Sequence, residues 1–255
     1  MPAEIIVCQD AADLARRGAE CFINGASQTI SVDGRFVAAL SGGSTPRAVN
    51  CYLADHYRDW QGWSRVFLFW GDERSVPPDH KESNYRMAHE SLIDHVPIPS
   101  SNIFRIRAEK SAAQAARKYE LELQDFFHRG DPGQGEPLLP EFHLIFLGMG
   151  EDGHTASLFP GTPALQERNR WVVENPVPKL NTQRITFTVP LINHAREVIF
   201  LVSGGAKAGA LKQVLEGPFD PETYPSQLIR PRGRLLWLVD EAAAAQLSCR
   251  AGVKD

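Results

Sequence analysis

The sequence lacks the features by which membrane and secreted proteins are recognised. Its uninterrupted apolar runs are only five residues long, as in residues 66–70 and 198–202, whereas a membrane-spanning helix needs about 20. The N-terminus, MPAEIIVCQD, has no basic start followed by a long apolar stretch, so it does not resemble a signal peptide. The four cysteines form no CxxC pair and no zinc-type spacing; they are Cys8, Cys21, Cys51 and Cys249. These absences predict a cytoplasmic protein that does not act at a membrane.

Positive charge is also scarce. The chain has 27 Lys and Arg against 31 Asp and Glu, which gives a formal net charge of −4. Because nucleic-acid-binding proteins usually present a basic surface, this balance argues against nucleic acid as a partner. An anionic ligand has to be held by a local cluster of donors, since the net charge does not attract it. The 255 residues, 43% of them hydrophobic, are enough to bury a full core in a single domain spanning residues 1–255.

Short apolar runs alternate along the chain with glycine-rich turns and helical stretches. We predict strands over residues 35–40, 66–70, 142–147, 198–202 and 235–239. We predict helices over residues 10–24, 46–55, 84–94, 111–128 and 240–247, with a further helix that ends near residue 216. Near-continuous apolar strands separated by helices predict an α/β fold with a mainly parallel sheet and helices on both faces. Residues 129–140 are predicted to be a short linker that does not divide the domain.

Two loops at the carboxyl ends of these strands are candidate anion sites, since ligands of open α/β sheets bind at that end. The first loop comprises Gly42, Gly43, Ser44 and Thr45. We expect Ser44 or Thr45 to cap the following helix and Pro46 to occupy its first position. Such a helix N-terminus suits phosphate, although capped turns of this kind are common without a ligand. Lys207 ends a similar loop, SGGAK, where it either meets the phosphate or is solvated.

A third loop, GDERS (residues 71–75), places three charges directly after a strongly apolar strand. Charges at such a junction often form only a solvated loop tip, but here they would face the same crevice as the glycine-rich loops. Arg74 is then a candidate for binding phosphate or polarising a carbonyl, and Asp72 for orienting a partner. Arg184 opens the alternating strand RITFTV, and the pattern leaves open whether it points toward the ligand.

The loop GMGEDGH (residues 148–154) matches the dinucleotide-binding pattern G-x-G-x-x-G. Two prolines and a glycine between residues 160 and 163 interrupt the helix that this pattern requires, so we interpret the match as a false positive. A nicotinamide-dependent oxidoreductase is kept as an alternative that a lack of tight NAD(P) binding would remove. What remains is His154 beside Asp152 at the mouth of the crevice. Histidine exchanges protons near neutral pH and a carboxylate fixes its tautomer, so the two form a candidate acid–base pair. No metal site is convincing, and no cofactor is predicted.

In this order along the chain, SGGSTP, GDER, GEDGHTASLFP, RIT and SGGAKA resemble the motifs of the glucosamine-6-phosphate isomerase/6-phosphogluconolactonase family, and of its lactonases in particular. The resemblance covers roughly residues 35–215. It implies a doubly wound α/β fold and hydrolysis of 6-phospho-D-glucono-1,5-lactone to 6-phosphogluconate, in the pentose phosphate pathway, without metal or cofactor. The related glucosamine-6-phosphate deaminases typically show DEY and an AFNEP-like sequence where this chain has DER and TASLFP. Deaminase activity is therefore the alternative.

The resemblance assigns the central proton transfer to His154, and we expect Asp152 to hold its imidazole while water attacks the lactone. The glycine-rich loop of residues 42–45 and Lys207 are expected to anchor the 6-phosphate. Arg74 is expected either to bind phosphate or to stabilise negative charge at the carbonyl. A sugar-phosphate-binding regulator without activity is a further hypothesis, which the presence of His154 beside Asp152 argues against. The predicted partner is a small-molecule sugar phosphate, and the chain is expected to be a monomer or a weak homo-oligomer.

Overall fold

The computed structural model describes residues 3–127 and 139–248, so most of the predicted linker lies outside the described residues. The strands are β1 (Glu4–Cys8), β2 (Phe36–Leu40), β3 (Val66–Trp70), β4 (Asp72–Arg74), β5 (Leu144–Gly148), β6 (Val172–Val177), β7 (Thr182–Phe187), β8 (Glu197–Val202) and β9 (Arg234–Asp240). The α-helices are α1 (Ala11–Asp33), α2 (Ser44–His56), α3 (Asn84–Ser91), α4 (Ala112–Phe127), α5 (Val189–Asn193) and α6 (Ala208–Glu216). No helix in these two ranges is long and apolar enough to cross a membrane.

Six strands form one parallel sheet in the order β1-β9-β8-β5-β2-β3. The five strands predicted from apolar runs are all in it, and β1, which was not predicted, is an edge strand paired with β9. Strand β2 is buried at every position, which is the pattern expected when both faces of a sheet are covered. The predicted α/β class with a mainly parallel sheet is therefore confirmed.

Aromatic contacts show how the two faces are covered. Phe69 and Trp70 are consecutive in β3, so their side chains point to opposite faces of the sheet. The Phe69 ring lies 5.1 Å from the ring of Phe126 in α4. The Trp70 ring lies 5.4 Å from that of Tyr85 in α3. Helices α3 and α4 thus pack on opposite faces, as a doubly wound fold requires.

A second, antiparallel sheet with the order β4-β7-β6 was not predicted. Its central strand β7 contains the predicted RIT segment, but the GDER segment, which was expected to be a loop, forms strand β4. The backbone pairing places Asp72 opposite Thr186 and Arg74 opposite Arg184. A three-residue charged strand has no alternating apolar pattern by which the sequence could reveal it. It is a strand because it pairs with β7, which lies far along the chain. This sheet fixes the charged segment beside the carboxyl ends of the main sheet.

Two predicted helix boundaries and one predicted helix were wrong. Helix α1 continues well past residue 24 and ends before Gly34, whose φ of 74° suits the glycine that closes a helix. The helix predicted to reach residue 94 ends at Ser91. Residues 240–247 do not form an α-helix: Asp240 ends β9, and only a short 3-10 helix follows. The Asp240 carboxylate accepts hydrogen bonds from the backbone N–H groups of Gly204 and Ala243, so it joins the end of β9 to the loop after β8 and to the short turn that follows.

Candidate active site

The candidate site lies at the carboxyl ends of the neighbouring strands β2 and β5. From β2 the chain continues to β3 on one side, whereas β5, β8, β9 and β1 all lie on the other side. Open α/β sheets bind their ligands at such a switch in strand order. A cavity of about 160 Å³ opens at this point. The predicted residues that line it are Gly42, Gly43, Ser44, Thr45, Asp72, Arg74, His154 and Lys207.

The N-terminus of α2 forms one wall of the cavity. Gly43 occupies the N-cap position with a φ of 103°, a conformation that favours glycine. No side chain caps the helix, so the prediction that Ser44 or Thr45 caps it was wrong. Pro46 is the third helical residue, not the first as predicted, because the helix begins at Ser44. Since Gly43 has no side-chain oxygen, the first N–H groups of α2, at the positive end of its dipole, are left for an anionic ligand.

Asn84, the first residue of α3, also lines the cavity, and no signal in the sequence pointed to it. A Cβ atom on Gly42 would lie 1.8 Å from Asn84 Oδ1, so this close approach requires glycine at position 42. Asn84 Nδ2 donates hydrogen bonds to the backbone oxygen of Asp72 at 2.9 Å and to its carboxylate at 3.2 Å. Asn84 therefore fixes the glycine-rich loop relative to β4.

The Asp72 side chain is buried, and its carboxylate is held from two directions. One oxygen accepts from Asn84, and the other accepts from Ser157 Oγ at 2.7 Å. Asp72 therefore connects β4 to Ser157, in the loop that carries His154. The neighbouring Glu73 is also buried and accepts hydrogen bonds from the first N–H groups of α3, while burial raises the pKa of its carboxyl.

Arg74 and Arg184 lie directly opposite one another on β4 and β7. Directly paired residues of an antiparallel sheet share a face, so Arg184 lies on the same side as Arg74 although it does not itself line the cavity. Burial, together with the positive charge of Arg74, lowers the pKa of Arg184. Arg74 Nη1 donates to the backbone oxygen of Glu82 at 2.7 Å, which holds its guanidinium at the cavity wall. Two like charges in this position favour an anion beside them.

His154 and Asp152 form a close pair, as predicted from their spacing. His154 Nδ1 lies 2.5 Å from Asp152 Oδ1, and the other carboxylate oxygen accepts from Lys179 Nζ at 3.0 Å. The hydrogen bond to His154 holds the pKa of the Asp152 carboxyl well below its usual range. A carboxylate at Nδ1 keeps the proton on that nitrogen and leaves Nε2 as the basic one. The ring of Phe159 stacks on the imidazole with a centroid distance of 4.1 Å, which restricts its orientation.

The turn that carries His154 depends on glycine. A Cβ atom on Gly150 would lie 2.1 Å from His154 Nδ1, so the imidazole packs directly against this glycine. Gly153 has a φ of 73°, and its N–H donates to the backbone oxygen of Gly150 at 3.1 Å. Ala156, which lines the cavity, has a φ of 47°, a left-handed conformation that costs a non-glycine residue of order 1 kcal/mol. Strain of this kind is typical of functional sites.

Lys207 completes the cationic border of the cavity. It ends the 3-10 turn Gly205–Lys207 that precedes α6. Burial lowers the pKa of its ammonium group, and the negative charges of Asp240 and Glu151 act in the opposite direction. Lys207, Arg74 and the N-terminus of α2 therefore border one cavity, which suits a small anion. Over residues 3–127 and 139–248, no group of three or more His, Cys, Asp or Glu residues is placed to hold a metal ion.

The fold and the site together define an α/β enzyme for a small anionic substrate. A family model described as glucosamine-6-phosphate isomerases/6-phosphogluconolactonase matches residues 9–237. The chain belongs to this family.

Individual relatives agree with this assignment. A protein of Nostoc sp. named 6-phosphogluconolactonase is 43% identical over 249 residues, which are 97% of this chain and 100% of the relative. One of Synechocystis sp. with the same name is 42% identical and covers 92% of this chain and 94% of its own. The solved structure of 6-phosphogluconolactonase from Trypanosoma cruzi matches with a TM-score of 0.84 at 29% identity, over 97% of this chain and 98% of that one. These relatives favour the lactonase branch of the family over the deaminase branch.

Proposed function

We propose that this chain hydrolyses 6-phospho-D-glucono-1,5-lactone to 6-phosphogluconate, a step of the pentose phosphate pathway. The observation that carries the proposal is His154, held through Nδ1 by Asp152 and lining a cavity bordered by Arg74 and Lys207. Lactone hydrolysis needs one residue to move a proton, and a 6-phosphate needs cations or amides at the other end of the sugar. The names of the relatives with 42% and 43% identity support the same reaction.

His154 acts as general base and then as general acid in this mechanism. Its Nε2 removes a proton from a water molecule as the water oxygen forms a bond to C1 of the lactone. When the tetrahedral intermediate collapses, the bond between C1 and the ring oxygen breaks, and His154 returns the proton to that oxygen. The new carboxylic acid then ionises to give the product. Asp152 stabilises the transient imidazolium and keeps the ring aligned.

The remaining site residues bind and orient the substrate. The amides at the start of α2, within the segment Gly42, Gly43, Ser44 and Thr45, and the ammonium of Lys207 anchor the phosphate dianion. Arg74, supported by Arg184, supplies the positive charge on the other side of the cavity. Asp72 acts through Ser157 as a positioning residue for the histidine loop. Anchoring the remote phosphate holds C1 near His154 and makes the attack effectively intramolecular.

The first test is loss of freshly generated lactone, corrected for its spontaneous hydrolysis. His154→Gln should lower kcat by about 10²–10⁴-fold, the usual contribution of one acid–base group, with little change in KM. His56→Gln, at an exposed position at the end of α2, is the matched control and should behave like the parent. Turnover near the parental level in His154→Gln would refute the proton-transfer role. Release of ammonia from glucosamine 6-phosphate by the parent, without lactonase activity, would favour the deaminase.

The second test separates phosphate binding from chemistry. Lys207→Gln should weaken the use of the phosphorylated lactone by about 10-fold or more, because one charge-assisted hydrogen bond is lost. Its effect on unphosphorylated gluconolactone should be small. Lys212→Gln, on the helix α6 that follows Lys207 but outside the cavity lining, is the control. Equal losses with both substrates would show that Lys207 does not anchor the phosphate.

A cytoplasmic location and a monomeric or weakly oligomeric state are part of the proposal. The described cysteines Cys8, Cys21 and Cys51 are free thiols, which suits a reducing compartment. Light scattering of the purified chain over a range of concentrations measures its mass in solution, and a stable tetramer would contradict the expected state.

A further inference from the structure

The turn that carries His154 is held from outside by a distant segment, residues 220–228, which we call the brace. The brace lies between α6 and β9. Ser226 donates two hydrogen bonds to the backbone oxygen of Gly153, one from its N–H at 3.0 Å and one from Oγ at 2.8 Å. Ser226 is only 1% exposed, so water does not compete for these bonds. A carbonyl that accepts two hydrogen bonds from one buried residue is fixed in both position and direction.

Tyr224 supports the same glycine by contact. A Cβ atom on Gly153 would lie 2.8 Å from Tyr224 Cδ1 and 3.3 Å from its Cα, so the brace packs directly on this residue. Gly153 has a φ of 73°, so it is the residue of the turn whose backbone requires glycine. The brace covers this residue. Tyr224 and Ser226 together leave little room for the Gly153 peptide to rotate.

The brace is itself rooted in the main fold. Gln227 is 6% exposed, and its Nε2 donates to the backbone oxygens of Gln213 and Pro218, each at 2.9 Å. Its Oε1 accepts from the N–H of Asp220 at 2.6 Å. A second contact reaches the histidine loop further on, where the N–H of Gly161 donates to the backbone oxygen of Glu222 at 3.2 Å. The support thus runs from α6 through the brace to the loop.

We propose that Ser226 is a positioning residue for the proton transfer, acting through Gly153 on His154. Gly153 lies between Asp152 and His154 in the chain, so its peptide groups set the 2.5 Å distance between His154 Nδ1 and Asp152 Oδ1. If the Gly153 carbonyl rotates, the imidazole turns away from its carboxylate and from the cavity. A misplacement of about 1 Å costs roughly 100-fold in rate, so a partial loss of support is expected to cost about 10-fold. The inference rests on the proposed lactonase function for its kinetic readout.

Ser226→Ala is the direct test, because it removes the Oγ bond and keeps the backbone one. We expect kcat to fall about 10-fold while KM stays within about twofold, since the phosphate-binding residues are not touched. Ser91→Ala is the matched control: Ser91 is also buried and donates its Oγ to a backbone oxygen, that of Met87 at 2.6 Å, but it lies on α3. A merely structural role would lower the melting temperature of both variants without lowering kcat of the folded enzyme.

A second variant and a second readout decide the remaining cases. Tyr224→Ala removes a half-buried ring and should give the same kcat loss if Ser226→Ala does not fold. The low-field proton NMR signal of the bond between His154 and Asp152, assigned by its absence in His154→Gln, should shift or broaden in both brace variants but not in Ser91→Ala. Parental kcat with an unchanged signal overturns the proposal, as does a kcat loss matched by an equal rise in KM. If the parent has no lactonase activity, the proposed function fails, and the NMR signal alone decides the role of Ser226.

Discussion

Replacing Gly150 by alanine perturbs the candidate site with a single methyl group. The added Cβ would lie 2.1 Å from His154 Nδ1, 2.2 Å from its Cε1 and 2.8 Å from Asp152 Oδ1. Comfortable contacts between such atoms are about 3.5–4.0 Å. Gly150 does not have a positive φ, so its backbone does not bar alanine, and the nearest atoms that the Cβ would meet belong to the side chains of His154 and Asp152.

The size of the effect follows from these distances. The imidazole has to move by at least about 1 Å, and this movement breaks its 2.5 Å hydrogen bond to Asp152. A 1 Å misplacement of a catalytic group costs roughly 100-fold, or about 2.7 kcal/mol of transition-state stabilisation. We expect kcat to fall by at least that factor. KM should change little, because the amides of α2 and Lys207 lie on other elements.

The assay is initial-rate hydrolysis of freshly generated lactone by Gly150→Ala and by a matched glycine variant. Gly25→Ala in α1 is the control, since its Cβ would meet the nearest atom, Phe36 Cε2, at an ordinary 3.9 Å. Removing a glycine from a helix interior should leave kcat unchanged and stabilise the fold by about 0.5–1 kcal/mol. A folded Gly150→Ala enzyme with kcat within about threefold of the parent would refute the placement of His154 against Gly150.

Two further predictions concern His143 and Arg184. The buried His143 accepts a hydrogen bond from the Val37 N–H at 2.8 Å, and burial lowers its pKa from 6.5 to about 4. As the pH falls, His143 therefore takes up its proton in the unfolded chain before it does so in the folded chain. Its contribution to the free energy of unfolding is fully present above pH 6.5 and falls by up to about 3 kcal/mol as the pH drops toward 4. Urea unfolding at the two pH values should show this loss in the parent but a smaller one in His143→Gln; equal losses would contradict it. Arg184→Gln should raise KM for the phosphorylated lactone about 10-fold. The control is Gln183→Ala, an exposed position one residue earlier on β7, which should leave KM unchanged. An unchanged KM in Arg184→Gln would show that Arg184 takes no part in substrate binding.

Much of the candidate site was predictable because it lies on glycine-rich turns directly after apolar strands. The apolar runs identify β2, β5 and β8, and a parallel sheet brings the carboxyl ends of its strands to one edge. Gly42, His154 and Lys207 are far apart in the sequence, but each follows one of these strands, so their meeting at one cavity follows from the topology. The pairing of His154 with Asp152 was predictable for a different reason, since two residues in one short turn are neighbours in any fold.

The rest of the site depends on contacts that leave no local pattern. Strand β4 has three residues and exists because β7 pairs with it, so a charged segment that resembles a loop in sequence becomes part of a sheet. Asn84 and Ser226 reach the site by hydrogen bonds to atoms of residues distant in sequence, Asp72 and Gly153. Neither an asparagine at position 84 nor a serine at position 226 stands out in the sequence. Only the three-dimensional arrangement distinguishes them from ordinary polar residues.

The net charge of −4 and the cationic border of the cavity together bear on selectivity. An acidic chain does not attract a phosphorylated substrate over its whole surface, so affinity must come from the site itself. There Arg74 and Arg184 repel one another, and burial lowers the pKa of both Arg184 and Lys207. A dianion would offset this repulsion and the hydration that the buried cations have lost, whereas a neutral sugar lactone would do neither. Under the proposed function, we therefore expect discrimination against the unphosphorylated analogue to arise at the phosphate end of the substrate, while His154 carries out the proton transfer.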